Sequence, residues 1–404
     1  MSWPRKKVSE LCIFAVDCIN KTAPTVDNET KYKMIRTTNV KDGFVYLDHV
    51  SYVTEETFLK WTRRSRPQYG DVILTREAPV GQVGRFTYSD ENVFLGQRLF
   101  HYRPNPALLD WNFLAYVLMS REVQGRLQGM GFGATVNHIR VGDAEHLEIP
   151  CPPTRIQRKI GSILSSYDDL IENNRRRIQL LEESARMLYK EWFVRLRFPG
   201  HEHVKVMDGV PEGWERKKAS ELIEINPKTT IDTSKKIKYF PMSALATNGM
   251  TISLGEIEYR KKATNVHFGY ADTLFARITP CLENGKTAIC LWIEENETAC
   301  GSTEFIILRG KMVSPWFTYI FSRQEEFRAL AIASMVGTSG RQRVHLSCFD
   351  RFYIIIPPKQ ILDNFDDIVQ PLFAQIQKLV LQNRKLAQAR DLLLPKLMNG
   401  EVAV

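Results

Sequence analysis

From residue 160 onward the chain repeats apolar side chains at alternating spacings of four and three. The positions are Ile160, Leu164, Tyr167, Ile171, Asn174, Ile178, Leu181, Ala185, Leu188 and Trp192, with Asn174 the only amide among them. This is a heptad seam, and it predicts one long helix. At about 1.5 Å per residue the seam runs roughly 50 Å, and an apolar stripe of that length needs a partner. A matching stripe lies near the end of the chain, at Leu372, Ile376, Leu379, Asn383, Leu386, Leu393 and Leu397, with Arg390 its weak position. Each stripe carries one asparagine, Asn174 or Asn383. A polar residue in a seam costs stability and fixes register, so the two are expected to lock the helices together. Pro371 is expected to kink the second helix or mark its true start.

Both helices are entered in the same way. Leu147, Glu148, Ile149 and Pro150 lead into Cys151, Pro152 and Pro153 before the first, and Phe352, Tyr353, Ile354, Ile355 and Ile356 lead into Pro357 and Pro358 before the second. The likeness extends upstream. Gly70, Asp71, Val72, Ile73, Leu74, Thr75 and Arg76 share with Ala271, Asp272, Thr273, Leu274, Phe275, Ala276 and Arg277 a turn, an acid, an apolar strand and an arginine. Each copy then shows an amphipathic stretch, 109–127 or 316–330, and a glycine-bearing polar loop, 129–140 or 337–343. Shared order with little identity reads as one fold used twice with different surfaces. The expected architecture is α+β: two globular α/β modules joined by two long helices that form an antiparallel coiled coil. The expected boundaries are a first module at 1–153, its helix at 154–197, a connector at 198–211, a second module at 212–358 and its helix at 359–404.

Composition narrows the class. The 404 residues are 44% hydrophobic, enough for two cores with helical connectors. No run of about 18 apolar residues occurs, so a cytoplasmic protein is expected. Seven cysteines are scattered without a C-x-x-C pair, which favours buried thiols over disulfides or zinc. The formal net charge of +9 permits nucleic-acid binding without requiring it. Local clusters carry more information: Lys60, Arg63, Arg64 and Arg66 around Trp61, then Lys235, Lys236 and Lys238, then Arg260, Lys261 and Lys262. Basic clusters in both modules favour a phosphate-facing surface over scattered loop charge.

A search for catalytic chemistry returns nothing that holds together. Asn284, Gly285, Lys286 and Thr287 resemble the tail of a phosphate-binding loop, but Pro280 occupies the position of its first glycine. Gly129, Gly131 and Gly133 lack the strand, turn and helix order of a dinucleotide site. Asn226, Pro227 and Lys228 lack the second proline and the aromatic residue of an amino-methyltransferase motif. His201, Glu202 and His203 read as a solvated linker rather than a metal site. Binding is favoured over catalysis, and no metal ligands are assigned.

With these residues in place, the chain resembles the specificity subunit of type I restriction-modification systems along essentially its whole length. The sharpest points are the Pro-Pro junctions, the segment Leu181, Glu182 and Glu183 to Tyr189, Trp192 and Phe193, the restart at Gly213 and Trp214, and the closing run from Leu392 to Val402. One departure is the Pro-Pro-Lys-Gln start of the second helix, which lacks the basic run Arg155, Arg158 and Lys159 of the first. The resemblance implies a non-catalytic reader for DNA modification and defence. Two target recognition domains each contact one half of a split double-stranded DNA sequence, and paired helices between them act as a ruler. It also implies two docked methyltransferase subunits and outer motor-nuclease subunits. S-adenosylmethionine, ATP and magnesium would belong to those partners.

Candidate DNA contacts in the first module are Arg63, Arg64, Arg66, Arg76, Asn137, His138 and Arg140. In the second they are Lys235, Lys236, Lys238, Arg260, Lys261, Lys262, Arg277, Arg341, Gln342 and Arg343. Arg, Asn and Gln can make paired hydrogen bonds to base edges, whereas Lys more often meets phosphate. Arg341, Gln342 and Arg343, in a glycine-bounded loop, are the foremost candidates. Two other readings stay open: a self-contained DNA methyltransferase or nuclease, and a coiled-coil adaptor for other proteins.

Overall fold

The computed structural model describes residues 3–129, 138–338 and 340–404. The chain divides into two compact units: Met1–Ile171 with Leu386–Val404, and Glu172–Lys385. The expected α+β class is borne out. Each unit combines β-sheets with short helices, and two long helices, Thr154–Tyr189 and Lys359–Met398, complete the fold.

In the first unit, strand Arg5–Lys7 pairs antiparallel with Glu148–Pro150, the strand that leads into the first Pro-Pro. A short helix, Val8–Leu11, then gives way to Cys12–Asp17, the edge of a six-stranded sheet. That sheet continues through Leu99–Pro104, Val72–Thr75, Val83–Arg85, Gly43–Val45 and Val40–Lys41. A smaller sheet holds Lys33–Ile35 between Ser51–Tyr52 and Val93–Leu95, pairing parallel with the latter.

The second unit repeats this plan. Glu215–Lys218 pairs antiparallel with Tyr353–Ile356 ahead of the second Pro-Pro, and Ala219–Leu222 forms the short helix. Ile223–Ile225, Phe305–Gly310, Thr273–Ala276 and Thr287–Ile289 make one sheet. In the other, Ile237–Phe240 pairs parallel with Thr298–Gly301, flanked by Glu258–Arg260 and His267–Gly269. The internal repeat is therefore one of strand order over four strands of the main sheet, to which the first unit adds Gly43–Val45 and Val40–Lys41.

The shared Asp motif has a common physical cause. Val72–Thr75 and Thr273–Ala276 are buried throughout, as central strands covered on both faces must be. Ahead of each strand the turn passes through positive φ, at Gly70 (+90°) and Ala271 (+63°). The next residue caps the turn: Asp71 Oδ2 accepts from Gln68 N, and Asp272 Oδ2 accepts from Gly269 N, both at 2.7 Å. Each carboxylate also takes both arms of an arginine on the neighbouring strand. Arg103 donates to Asp71 at 2.9 and 2.8 Å, and Arg309 donates to Asp272 at 2.7 and 2.6 Å. The fork geometry joins turn and strand in a fixed register.

The helices run antiparallel within each unit. In the first, Ile160 and Leu164 share a core with Leu397 and Met398. In the second, Asn174 Nδ2 donates to Asn383 Oδ1 at 2.9 Å, Ile178 shares a core with Leu379, and Trp192 meets Phe365. The rotational phase departs from a uniform seam in several places. Tyr167 and Leu181 are only half-buried, while the acids after them, Asp168 and Glu182, are 2% and 5% exposed. Phe373 rather than Leu372 is fully buried, because Trp316 and Tyr319 of the second module pack against it. At Lys190–Val194 the helix widens into one π turn, and the extra residue brings both Trp192 and Phe193 into the core. Pro371 marks no start, since the helix begins at Lys359. Pro371 and Asp367 are both exposed, so the carbonyl that loses its helical donor faces water.

Candidate nucleic-acid interface

The loop before the second Pro-Pro strand is built by backbone stitching. Val344 N donates to Arg277 O at 2.8 Å, and Thr279 N to Gln342 O at 3.0 Å. Arg343 exchanges backbone bonds with Val336 at 2.9 and 3.0 Å. Gly337 adopts φ +136°, and a Cβ there would stand 2.8 Å from the Arg341 carbonyl, so the close approach requires glycine. This stem lifts Arg341 into solvent. Arg343 is exposed too, but its guanidinium grips Glu304, at 2.9 Å from Nε to Oε2. That ion pair outweighs burial and, with Arg277 nearby, holds the Glu304 carboxyl below the usual range. Gln342 is half-buried, its N–H on Thr279 Oγ1 at 3.1 Å.

The first module has the equivalent stem. Ile139 N donates to Arg76 O at 3.0 Å, as Val344 does to Arg277, so half-buried His138 stands where Arg343 stands. Arg140 is exposed. Asn137 lies outside the described residues. Arg76 needs correcting as a surface contact: it is 7% exposed, and its Nε donates to the Ile139 carbonyl at 2.8 Å. Its charge holds the stem rather than facing a ligand. Arg277 is half-buried, with a buried Nε.

The other candidates divide by what already holds them. Arg63 and Arg66 are exposed, with Arg66 over the Phe58 ring at 5.2 Å. Arg64 is paired with Asp17 at 2.6 Å. In the second module Lys235, Lys236, Lys261 and Lys262 are exposed, whereas Lys238 is half-buried against Glu297 at 2.7 Å. Arg260 lies on the Tyr239 ring, 3.2 Å from its centroid, and bonds Glu258. Between them Tyr259 projects with 64% of its surface exposed. Sequence reasoning passed over it, although the run Glu258, Tyr259, Arg260, Lys261, Lys262 interleaves an aromatic with cations.

The apparent catalytic fragments are structural. Gly285, at φ +82°, packs against the Thr247 carbonyl, while Lys286 Nζ donates to Met242 O at 2.8 Å. Asn226 exchanges two bonds with Ile307 at the end of its strand. One unforeseen group looks like a triad: His101 Nε2 lies 2.7 Å from Asp71 and Nδ1 lies 2.9 Å from Ser65. It cannot work as one. His101 is fully buried, and Asp71 is occupied by Arg103. Burial outweighs the Asp71 charge and pushes the His101 pKa down, which keeps the ring neutral. Burial raises the Asp71 pKa, but Arg103 and His101 outweigh it and bring the carboxyl below 3.8. The seven cysteines are free thiols, and burial pushes Cys12 up to about 12.

Two sheet modules with a shared core strand order, each ending in a strand that enters a long helix, and helices paired antiparallel within each unit define a bimodular coiled-coil architecture. Residues 2–183 match the model of the type I restriction modification DNA specificity domain. The type I restriction enzyme MjaIX specificity subunit of Methanocaldococcus jannaschii is 26% identical over 369 residues, covering 87% of this chain and 82% of the relative. The HindI specificity subunit of Haemophilus influenzae is 22% identical over 402 residues, covering 82% and 86%. The crystal structure of an S subunit from M. genitalium shares the fold with a TM-score of 0.57 at 17% identity, over 98% of this chain and 96% of that one. By these matches the chain is similar to the specificity subunits of type I restriction-modification systems, and the similarity supports a role in recognising DNA sequence.

Proposed function

We propose that this chain reads an asymmetric bipartite DNA sequence, one module to each half, with the helix pair fixing the number of unread base pairs between them. The observation that carries this is one topology used twice with unlike loop chemistry. The stem that presents Arg341, Gln342 and Arg343 in the second module presents His138 and Arg140 in the first. One fold gives equivalent approaches to the duplex, and unlike side chains give unlike half-sites. Equivalent groove faces recur about every 34 to 36 Å, a span that helices of 36 and 40 residues can bridge at about 1.5 Å per residue.

The helices also provide a place for partners. Methyltransferase subunits, two by the family pattern, dock on the helix pair, and motor-nuclease subunits join outside. S-adenosylmethionine, ATP and magnesium act in those subunits. Among the described residues no helix is long and apolar enough to cross a membrane.

Sequencing of modified adenines in the host genome, with the gene intact and deleted, tests the reading. Loss of methylation at one gapped, asymmetric motif on both strands is the expected result. An unchanged methylome, together with no DNA binding by the purified complex, favours a protein adaptor. Methylation by the purified chain with S-adenosylmethionine alone indicates a self-contained enzyme. Removing one heptad between Ile171 and Ile178, with a matching deletion in the opposite helix, should change the gap and leave both half-sites intact.

A further inference from the structure

Two carboxylates on the helix Thr154–Tyr189 are buried, and each holds a module by a tyrosine. Asp168, 2% exposed, accepts from the Tyr116 hydroxyl of helix Trp111–Met119, from Arg85 Nη2 at 2.8 Å and from Arg390 Nη1 at 2.5 Å. Arg85 is itself 2% exposed. Its Nε donates to Gly43 O at 3.1 Å and its Nη1 to Asn112 Oδ1 at 3.0 Å. The single Asp168 side chain thus gathers a strand and a helix of the first module together with the last helix. In the second unit Glu182, 5% exposed, accepts from the Tyr319 hydroxyl at 2.5 Å and from Met250 N at 2.8 Å. A Cβ at Gly249 would stand 2.8 Å from Glu182 Oε2, so the module's backbone comes in as near as glycine allows.

Residues 168 and 182 are two heptads apart and lie on one face of the helix. An apolar face alone would accept a module at several nearby poses, because hydrophobic contact is non-directional. A buried carboxylate accepts only the pose that satisfies it. A shift by one residue moves a side chain about 1.5 Å along the axis and about 100° around it, and strands the charge in the interior.

We propose that Asp168 and Glu182 are positioning residues for DNA recognition: each fixes the pose of its module on the helix and thereby sets how sharply the gap between half-sites is discriminated. This rests on the bipartite-reader assignment. The buried charge that both carboxylates cost is the means of that precision rather than a source of stability.

The test uses the complex with its methyltransferase subunits and a library of duplexes that carry both half-sites at varied gaps. Tyr116→Phe and Tyr319→Phe are the main variants, since each removes one hydroxyl and leaves the Arg85, Arg390 and Met250 bonds in place. Methylation at the correct gap, relative to a gap one base pair longer or shorter, should fall by about 10-fold or more, the equivalent of one hydrogen bond to a charged group. Half-site base preference should not change. Asp168→Asn and Glu182→Gln should relax the gap in the same direction. A lowered melting temperature with an unchanged gap ratio overturns the inference and leaves the carboxylates a purely structural role. A wild-type complex with no gap preference overturns the bipartite reading itself, and this inference with it.

Discussion

The Asn174–Asn383 contact makes a quantitative test of the helix pair. Asn174 is 4% exposed and donates to Asn383 Oδ1 at 2.9 Å, with a longer contact to Gln382 at 3.4 Å. Asn174→Leu removes this bond and faces leucine against a half-buried carboxamide that is one hydrogen bond short. That shortfall costs about 1 to 3 kcal/mol. A newly buried leucine returns about 1.5 to 3 kcal/mol, so each single variant should sit near wild-type stability. The double variant removes both members of the amide pair and gains both leucines. It should exceed the sum of the two singles by about 1 to 2 kcal/mol, at the low end because Asn383 is only half-buried and water reaches part of it.

The assay is urea unfolding followed by far-UV circular dichroism, where helices of 36 and 40 residues dominate the signal. Two units need not unfold together, so midpoints within one transition are compared, not a single extrapolated free energy. Additivity of the two substitutions to within about 0.5 kcal/mol would show that the amides act independently, and the register argument would fall.

Three further outcomes follow from named contacts. Asp272→Ala removes a turn cap and both arms of Arg309, and should destabilise the second unit by about 2 to 4 kcal/mol, moderated because Arg309 can rehydrate; hydrogen exchange in Thr273–Ala276 reads this, and a loss below about 1 kcal/mol refutes it. The folded state holds His101 neutral where the unfolded chain takes up a proton, so stability should decline as pH falls below 6.5, while the Asp71 contribution stays intact down to its own lower range. Urea midpoints between pH 7 and 5 should therefore fall more steeply for wild type than for His101→Asn, and equal slopes would refute the assignment. Arg341→Ala should weaken DNA binding by about 1 to 3 kcal/mol, through one base position if it reads an edge and evenly across sequences if it clamps phosphate; unchanged affinity and preference would remove the loop from the interface.

Much of the scaffold was legible in the sequence because it rests on local pattern. Heptad spacing gave the helices, and the Pro-Pro strands and the Asp-strand-Arg motif gave the repeat. What escaped depends on partners far apart in sequence. Arg390 looked like a flaw in a seam, but Asp168, half the chain away, makes it an ion-paired position. Phe373 displaced Leu372 because the second module supplies Trp316 and Tyr319, which no helical period encodes. Arg76 and Arg341 are indistinguishable as letters in basic loops. Only the fold shows that one guanidinium binds an interior carbonyl while the other stands in water. A charged residue in the apolar seam was the available signal, and at Arg390 it marks the buried counter-charge of Asp168.

That distinction bears on how such a protein can change its target. Arg85, Arg103, Arg309 and Arg390 are committed to acids of the fold, and Arg323, 5% exposed, to the Gly285 carbonyl. The net charge of +9 therefore misstates the cation density available to a polyanion. The exposed candidates, Arg63, Arg66, Lys235, Lys236, Lys261, Lys262 and Arg341, lie in loops or turns outside the core strands and helices. Removing a committed arginine leaves a buried carboxylate or carbonyl short of a donor, which costs folding stability. Replacing an exposed one is nearly neutral to folding. On the proposed reading, base preference can therefore change at the stems while the Asp turns and the helix carboxylates stay as they are.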